Sequence, residues 1–114
     1  MTNEQLIQAL SEACHYTDPD AFVSDLALSA IFLPPDDPEA LPDPELPGQL
    51  HRIWMVAEAP FRQLLAELGL SQTACSRRFA IPLRTVQGWA LGERACPPYV
   101  RLMLSRLCGY IVCP

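Results

Sequence analysis

The chain has no lysine, and its first fifty residues have no arginine either. That half holds ten acids (Glu4, Glu12, Asp18, Asp20, Asp25, Asp36, Asp37, Glu39, Asp43 and Glu45), a formal charge of −10, which makes it a poor surface for a polyanion. No apolar run approaches the roughly eighteen residues that a membrane span needs, and Met1, Thr2, Asn3 and Glu4 lack the basic start of a signal peptide. The expectation is a cytoplasmic protein with no membrane partner. Five cysteines (Cys14, Cys75, Cys96, Cys108 and Cys113) are an odd number, none forms a C-x-x-C, and the two histidines, His15 and His51, are far apart in sequence. Neither a disulfide framework nor a metal site is expected, and the thiols are taken as small hydrophobes. There is no phosphate-cradling glycine loop and no G-x-S-x-G elbow, and Cys14 and His15, as neighbours on a helix, point in different directions. No enzymatic activity and no cofactor are therefore expected. No segment alternates apolar and polar residues as a half-buried strand does, and no internal repeat is visible.

What is present is a chain of 114 residues, half of them apolar and 18% charged, the balance of an ordered protein with one modest core and no second independent one. From position 51 onward eight arginines (Arg52, Arg62, Arg77, Arg78, Arg84, Arg94, Arg101 and Arg106) stand against Glu58, Glu67 and Glu93, a charge of +5. Such a split between halves marks a nucleic-acid module joined to something kept off the phosphates. Arginine in every cationic position suits bidentate contacts to phosphate or guanine.

Helical spacing of Leu6, Ile7 and Leu10 predicts a first helix over Asn3 to Cys14, with Thr2 or Asn3 as its cap. Phe22, Leu26, Ile31 and Phe32 predict a second from Asp20 to Phe32, capped by Asp18 or Asp20 and stopped by Pro34 and Pro35. Residues 34–48 form an acidic, proline-rich connector, and residues 1–33 an acidic helical hairpin. Helical patterns resume at Gln49 to Ala59 and at Phe61 to Leu68, the latter closed by Gly69. A last helix from Pro98 to Leu107 carries Val100, Met103, Leu104 and Leu107 as its apolar side.

Between these lies the stretch Gly69 to Arg94. Ser71 caps a short helix with Cys75 and Phe79 inward, and a tight turn at Ala80 and Ile81 follows. Pro82 opens a second helix, 82–91, that points Val86, Trp89 and Ala90 inward. Two short helices joined so closely cross steeply, leaving the outer face of the second protruding with Leu83, Arg84, Gln87 and the small Gly88. The run Gly69-Leu70-Ser71-Gln72, followed by Arg84-Thr85-Val86, Trp89 and Gly92-Glu93-Arg94, resembles the lambda-repressor-like, or Xre/Cro-type, helix-turn-helix family over about Pro60 to Leu107. Two positions depart from that pattern: Ala80 stands where glycine is usual, and Pro82 replaces the usual polar cap.

The resemblance implies an all-α fold, a lambda-repressor-like bundle over residues 49–114, and sequence-specific binding of double-stranded DNA by a transcriptional regulator. It implies that Gln72 and Thr73 approach the phosphate backbone, that Leu83, Arg84 and Gln87 face base edges, and that Thr85 touches a phosphate. Arginine matches guanine O6 and N7, and glutamine matches adenine N6 and N7. The helix N-terminus at Ser71 offers free amides to a phosphate, with Arg77, Arg94 and Arg101 as backbone clamps. A homodimer is expected, because one such helix reads few base pairs. The alternative is a protein-interaction module, such as an antitoxin-like partner whose acidic half binds a basic protein.

Overall fold

Thr2 opens α1 (Asn3–Ala13) with a reciprocal cap: its hydroxyl accepts from the Gln5 amide at 3.1 Å, while the Gln5 side chain accepts from the Thr2 amide at 2.8 Å. The computed structural model describes residues 1–33 and 43–112. Within them the chain forms seven helices and no strand. No described helix is long and apolar enough to cross a membrane.

The inward face of α1 is Leu6, Ala9 and Ala13, and Ile7 is 60% exposed. Small alanines on that face let a neighbouring helix approach, which moves the apolar stripe away from the expected Ile7. Asp18 caps α2 (Pro19–Ala27) by accepting from the Asp20 amide at 3.1 Å. This helix stops short of the expected Phe32. The Ser29 hydroxyl donates to the Leu26 carbonyl at 2.7 Å and the Ser29 amide takes the same oxygen at 3.1 Å, so the helical pattern gives way to turns that hold Ile31 and Phe32 half-buried. The third helix, α3 (Leu46–Glu58), starts earlier than the expected Gln49. Asp43 accepts the Glu45 amide on its carboxylate at 2.9 Å and the Leu46 amide on its carbonyl at 3.0 Å, and Pro47 falls in the first turn, where no amide is needed. Leu46 to Gly48 are thus helical and not connector, while positions 34–42 of the expected connector lie outside the described residues.

The packing divides into two compact units, one built on Met1–Glu58 and the other on Ala59–Tyr110. This differs from the expected boundary at 48/49 and from the single expected core. In the first unit α3 packs on both α1 and α2, enclosing Leu6, Phe22, Leu26, Leu50 and Ile53. The Trp54 indole donates to the Tyr16 carbonyl at 3.0 Å, and the Tyr16 ring meets Phe22 edge-on at 5.6 Å. The Tyr16 hydroxyl donates to Asp25 at 2.9 Å, a bond that, with its carboxylate's charge, raises the phenol above its ordinary value.

The second unit contains α4 (Phe61–Leu68), α5 (Gln72–Phe79), α6 (Leu83–Leu91) and α7 (Pro98–Leu107). Prolines 60, 82 and 97 stand immediately before α4, α6 and α7, and Gly69 closes α4 in the left-handed conformation. Helix α6 packs on α4 and α5. Phe61, Leu64, Cys75, Val86 and Leu104 are buried, with Phe79 and Trp89 only half-buried at the margin. The face of α7 meets expectation at Leu104, which is buried, and at the half-buried Val100, but Arg101 and Ser105 are buried beside them while Met103 and Leu107 are 58% and 63% exposed. A polar pair can occupy that interior because it is hydrogen-bonded. The Arg101 guanidinium donates to the Ala59 carbonyl, and the Ser105 hydroxyl donates to the Arg101 carbonyl at 2.8 Å.

Ala80 ends α5 at φ 56°, the one non-glycine residue with positive φ among those described. Its Cβ crowds the following carbonyl, a strain of about 1–2 kcal/mol that glycine escapes at some cost in unfolded-chain entropy. Ala80→Gly should therefore stabilise the chain by about 0.5–1 kcal/mol in equilibrium unfolding. A variant less stable than the parent would refute the strain.

Candidate nucleic-acid interface

The Ser71 hydroxyl accepts from the Ala74 amide at 3.0 Å and the Ser71 carbonyl from the Cys75 amide at 2.9 Å, which fixes the start of α5. No acceptor among the described residues meets the amides of Gln72 and Thr73, as is usual for a first helical turn. Along α5, Cys75 is fully enclosed while Thr73, Arg77 and Arg78 are exposed and Gln72 is half-buried. The Arg78 guanidinium lies 5.5 Å from the centre of the half-buried Phe79 ring, within the range of a cation–π contact.

The connection from α5 to α6 is held by a matched pair of bonds. Ser76 accepts the Ile81 amide on its carbonyl at 3.1 Å and donates its hydroxyl to the Ile81 carbonyl at 2.6 Å. Pro82 then opens α6 without a side-chain cap, so the amides of Leu83 and Arg84 also meet no acceptor among the described residues. The inward side of α6 is Val86, with Trp89 meeting Phe61 edge-on at 5.3 Å. Its outward side carries Arg84 and Gln87, both exposed, and Leu83 at 40% exposure; Thr85 is half-buried. Between Leu68 and Gly92 the sequence has no acid, so the stretch that holds Arg77, Arg78 and Arg84 carries charge of one sign only.

Two expected members of this surface sit elsewhere. Gly88 is buried and not part of the outer face. Gly92 reverses the chain at φ 77°, the Gly88 carbonyl accepts from the amides of Glu93 and Arg94, and the Arg94 stem comes within 3.7 Å of where a Gly88 Cβ would stand. Arg94 remains exposed as a residue while its stem covers this glycine. Arg101, expected to clamp phosphate, is buried on the Ala59 carbonyl. Arg78 was absent from the expected interface despite its exposure. Its charge in an acid-free stretch was the signal available.

Burial raises the Cys75 thiol and pushes Cys96 up to about 11, the opposing charge of Arg101 being the smaller influence. Both stay protonated and unreactive near neutral pH. Among the described residues no three His, Cys, Asp or Glu side chains are placed to hold a metal ion. No protein-family model, curated protein or solved structure matches the chain.

Proposed function

We propose that the Ala59–Tyr110 unit is a lambda-repressor-like helix-turn-helix domain that binds specific duplex DNA, with α6 in the major groove, and that the protein regulates transcription. The observation that carries this reading is the outer side of α6, where Leu83, Arg84 and Gln87 are exposed together in an acid-free stretch and backed by the enclosed Val86. Arg84 would take guanine and Gln87 adenine, the pairings that their donor and acceptor patterns allow. Ser71, Gln72, Thr73, Thr85, Arg77 and Arg94 would position the duplex through its phosphates, helped by the open amides that begin α5 and α6. A homodimer belongs to the same proposal. Tyr99, Met103 and Leu107 recur every fourth residue on the exposed side of α7, an apolar stripe that a second copy would cover. The acids Glu4, Glu12, Asp18, Asp20, Asp25, Asp43 and Glu45 are all exposed, which favours one second reading, an antitoxin-like module whose acidic half holds a basic protein.

The test is selection of preferred duplexes from a random pool, followed by titration of the parent and Arg84→Ala. The variant should lose about 1–3 kcal/mol on the selected site and relax its preference at one base pair. An equal loss on every duplex would reduce Arg84 to a phosphate contact, and a parent protein that enriches no sequence would end the proposal.

A further inference from the structure

Leu83 is the first residue of α6, flanked by the exposed Arg84 and one turn before the exposed Gln87. It keeps 40% of its surface in solvent, although the enclosed Val86 lies only three positions on. A lone exposed leucine is ordinary on a surface that stays wet. Here it stands among the groups that would be desolvated against a polar, charged ligand, where an apolar side chain leaves the ligand's donors and acceptors beneath it unpaired unless the ligand offers apolar surface in the same place. Duplex DNA offers little of that. The base edges of the major groove are donors and acceptors, and their one apolar group is the methyl on C5 of a pyrimidine.

We propose that Leu83 is a specificity-determining residue that recognises a pyrimidine 5-methyl group, carried by thymine or by 5-methylcytosine, next to the base pairs read by Arg84 and Gln87. The inference rests on the DNA-binding reading and extends it from hydrogen-bond matching to the recognition of a methyl. It explains why a leucine occupies a position where a polar side chain would satisfy solvent equally well in the free protein. Bringing one methyl into contact with Leu83 removes about one carbon's worth of apolar surface from water, which corresponds to about fourfold in affinity.

The experiment uses the full chain and the duplex it selects. Each thymine is replaced in turn by deoxyuridine, which removes the methyl and leaves the hydrogen-bonding edges unchanged. At one position of the site the parent should bind about fourfold more weakly. Leu83→Ala should bind the thymine and deoxyuridine duplexes equally, and Leu83→Met should keep the preference. Because Leu83 is exposed, both variants are expected to fold, and circular dichroism checks that. Placing 5-methylcytosine or plain cytosine at the same position separates the two sources: a gain with the methyl shows that the group is read on either base, and no gain confines the contact to thymine. Sequence-specific binding indifferent to every deoxyuridine overturns the inference alone, as does a preference that survives in Leu83→Ala. A chain that selects no sequence overturns the DNA-binding reading and the inference with it.

Discussion

Replacing Arg101 by alanine should lower the stability of the Ala59–Tyr110 unit by about 2–4 kcal/mol, because a charged hydrogen bond is lost and the Ala59 carbonyl keeps no guanidinium in an interior with little access for water. The Ser105 hydroxyl bonds to the backbone of residue 101, so it survives the change and adds nothing to the loss. Two measurements together separate this from a role in binding phosphate. Urea unfolding should show the destabilisation, and at a temperature where the variant is folded the dependence of DNA affinity on salt should match the parent. A surface clamp would behave in the opposite way, with parental stability and a salt slope reduced by about one. That second pattern would return Arg101 to the interface.

Phe61→Ala should cost about 3–5 kcal/mol, since the ring is buried at the start of α4 and removing it leaves a cavity under α6. Trp89→Ala should cost less, about 2–3 kcal/mol, because the indole keeps part of its surface in solvent before the change. The two rings meet at 5.3 Å with an interplanar angle of 76°, so the double variant should fall short of the summed losses by about 0.5–1.5 kcal/mol. Equilibrium unfolding of the four proteins closes the cycle. Strict additivity would mean that the ring contact contributes nothing beyond the area it buries. A folded Trp89→Ala protein of parental stability that has lost DNA affinity would instead make the indole part of the binding surface.

The parts of the fold that were legible in the sequence are those decided within a few residues. Thr2, Asp18 and Ser71 each cap the helix that follows, and Gly69 closes α4, because a cap needs only its own side chain and the next turn. The outward position of Leu83, Arg84 and Gln87 also followed from local spacing, with Val86 marking the opposite side. What was not legible depends on distant or competing partners. Ser29 ends α2 by taking a carbonyl that an uninterrupted helix would have used, and both outcomes suit the same composition. The burial of Arg101 depends on the Ala59 carbonyl, 42 positions earlier, so the apolar spacing that rightly turned Leu104 inward also put Met103 and Leu107 there, and both are exposed. Gly88 looked exposed by helical period alone, but the chain reversal at Gly92 returns Arg94 across it. The pairing of α3 with α1 and α2 was hidden behind the proline-rich residues that precede it, which suggested a break in the packing where there is none.

The proline that opens α6 has a consequence on the time scale of amide exchange. Pro82 contributes no side-chain acceptor, so the amides of Leu83 and Arg84 stay open to solvent water, whereas the amides of Thr85 and Val86 donate to the Pro82 carbonyl at 2.9 and 3.2 Å. In deuterated water the first two exchange without any opening of the helix, while Thr85 and Val86 must wait for the first turn to open. The front edge of α6 is thus a sharp boundary between fast and slow protons. Any anion seated on that edge would shift the boundary by two residues toward the N-terminus.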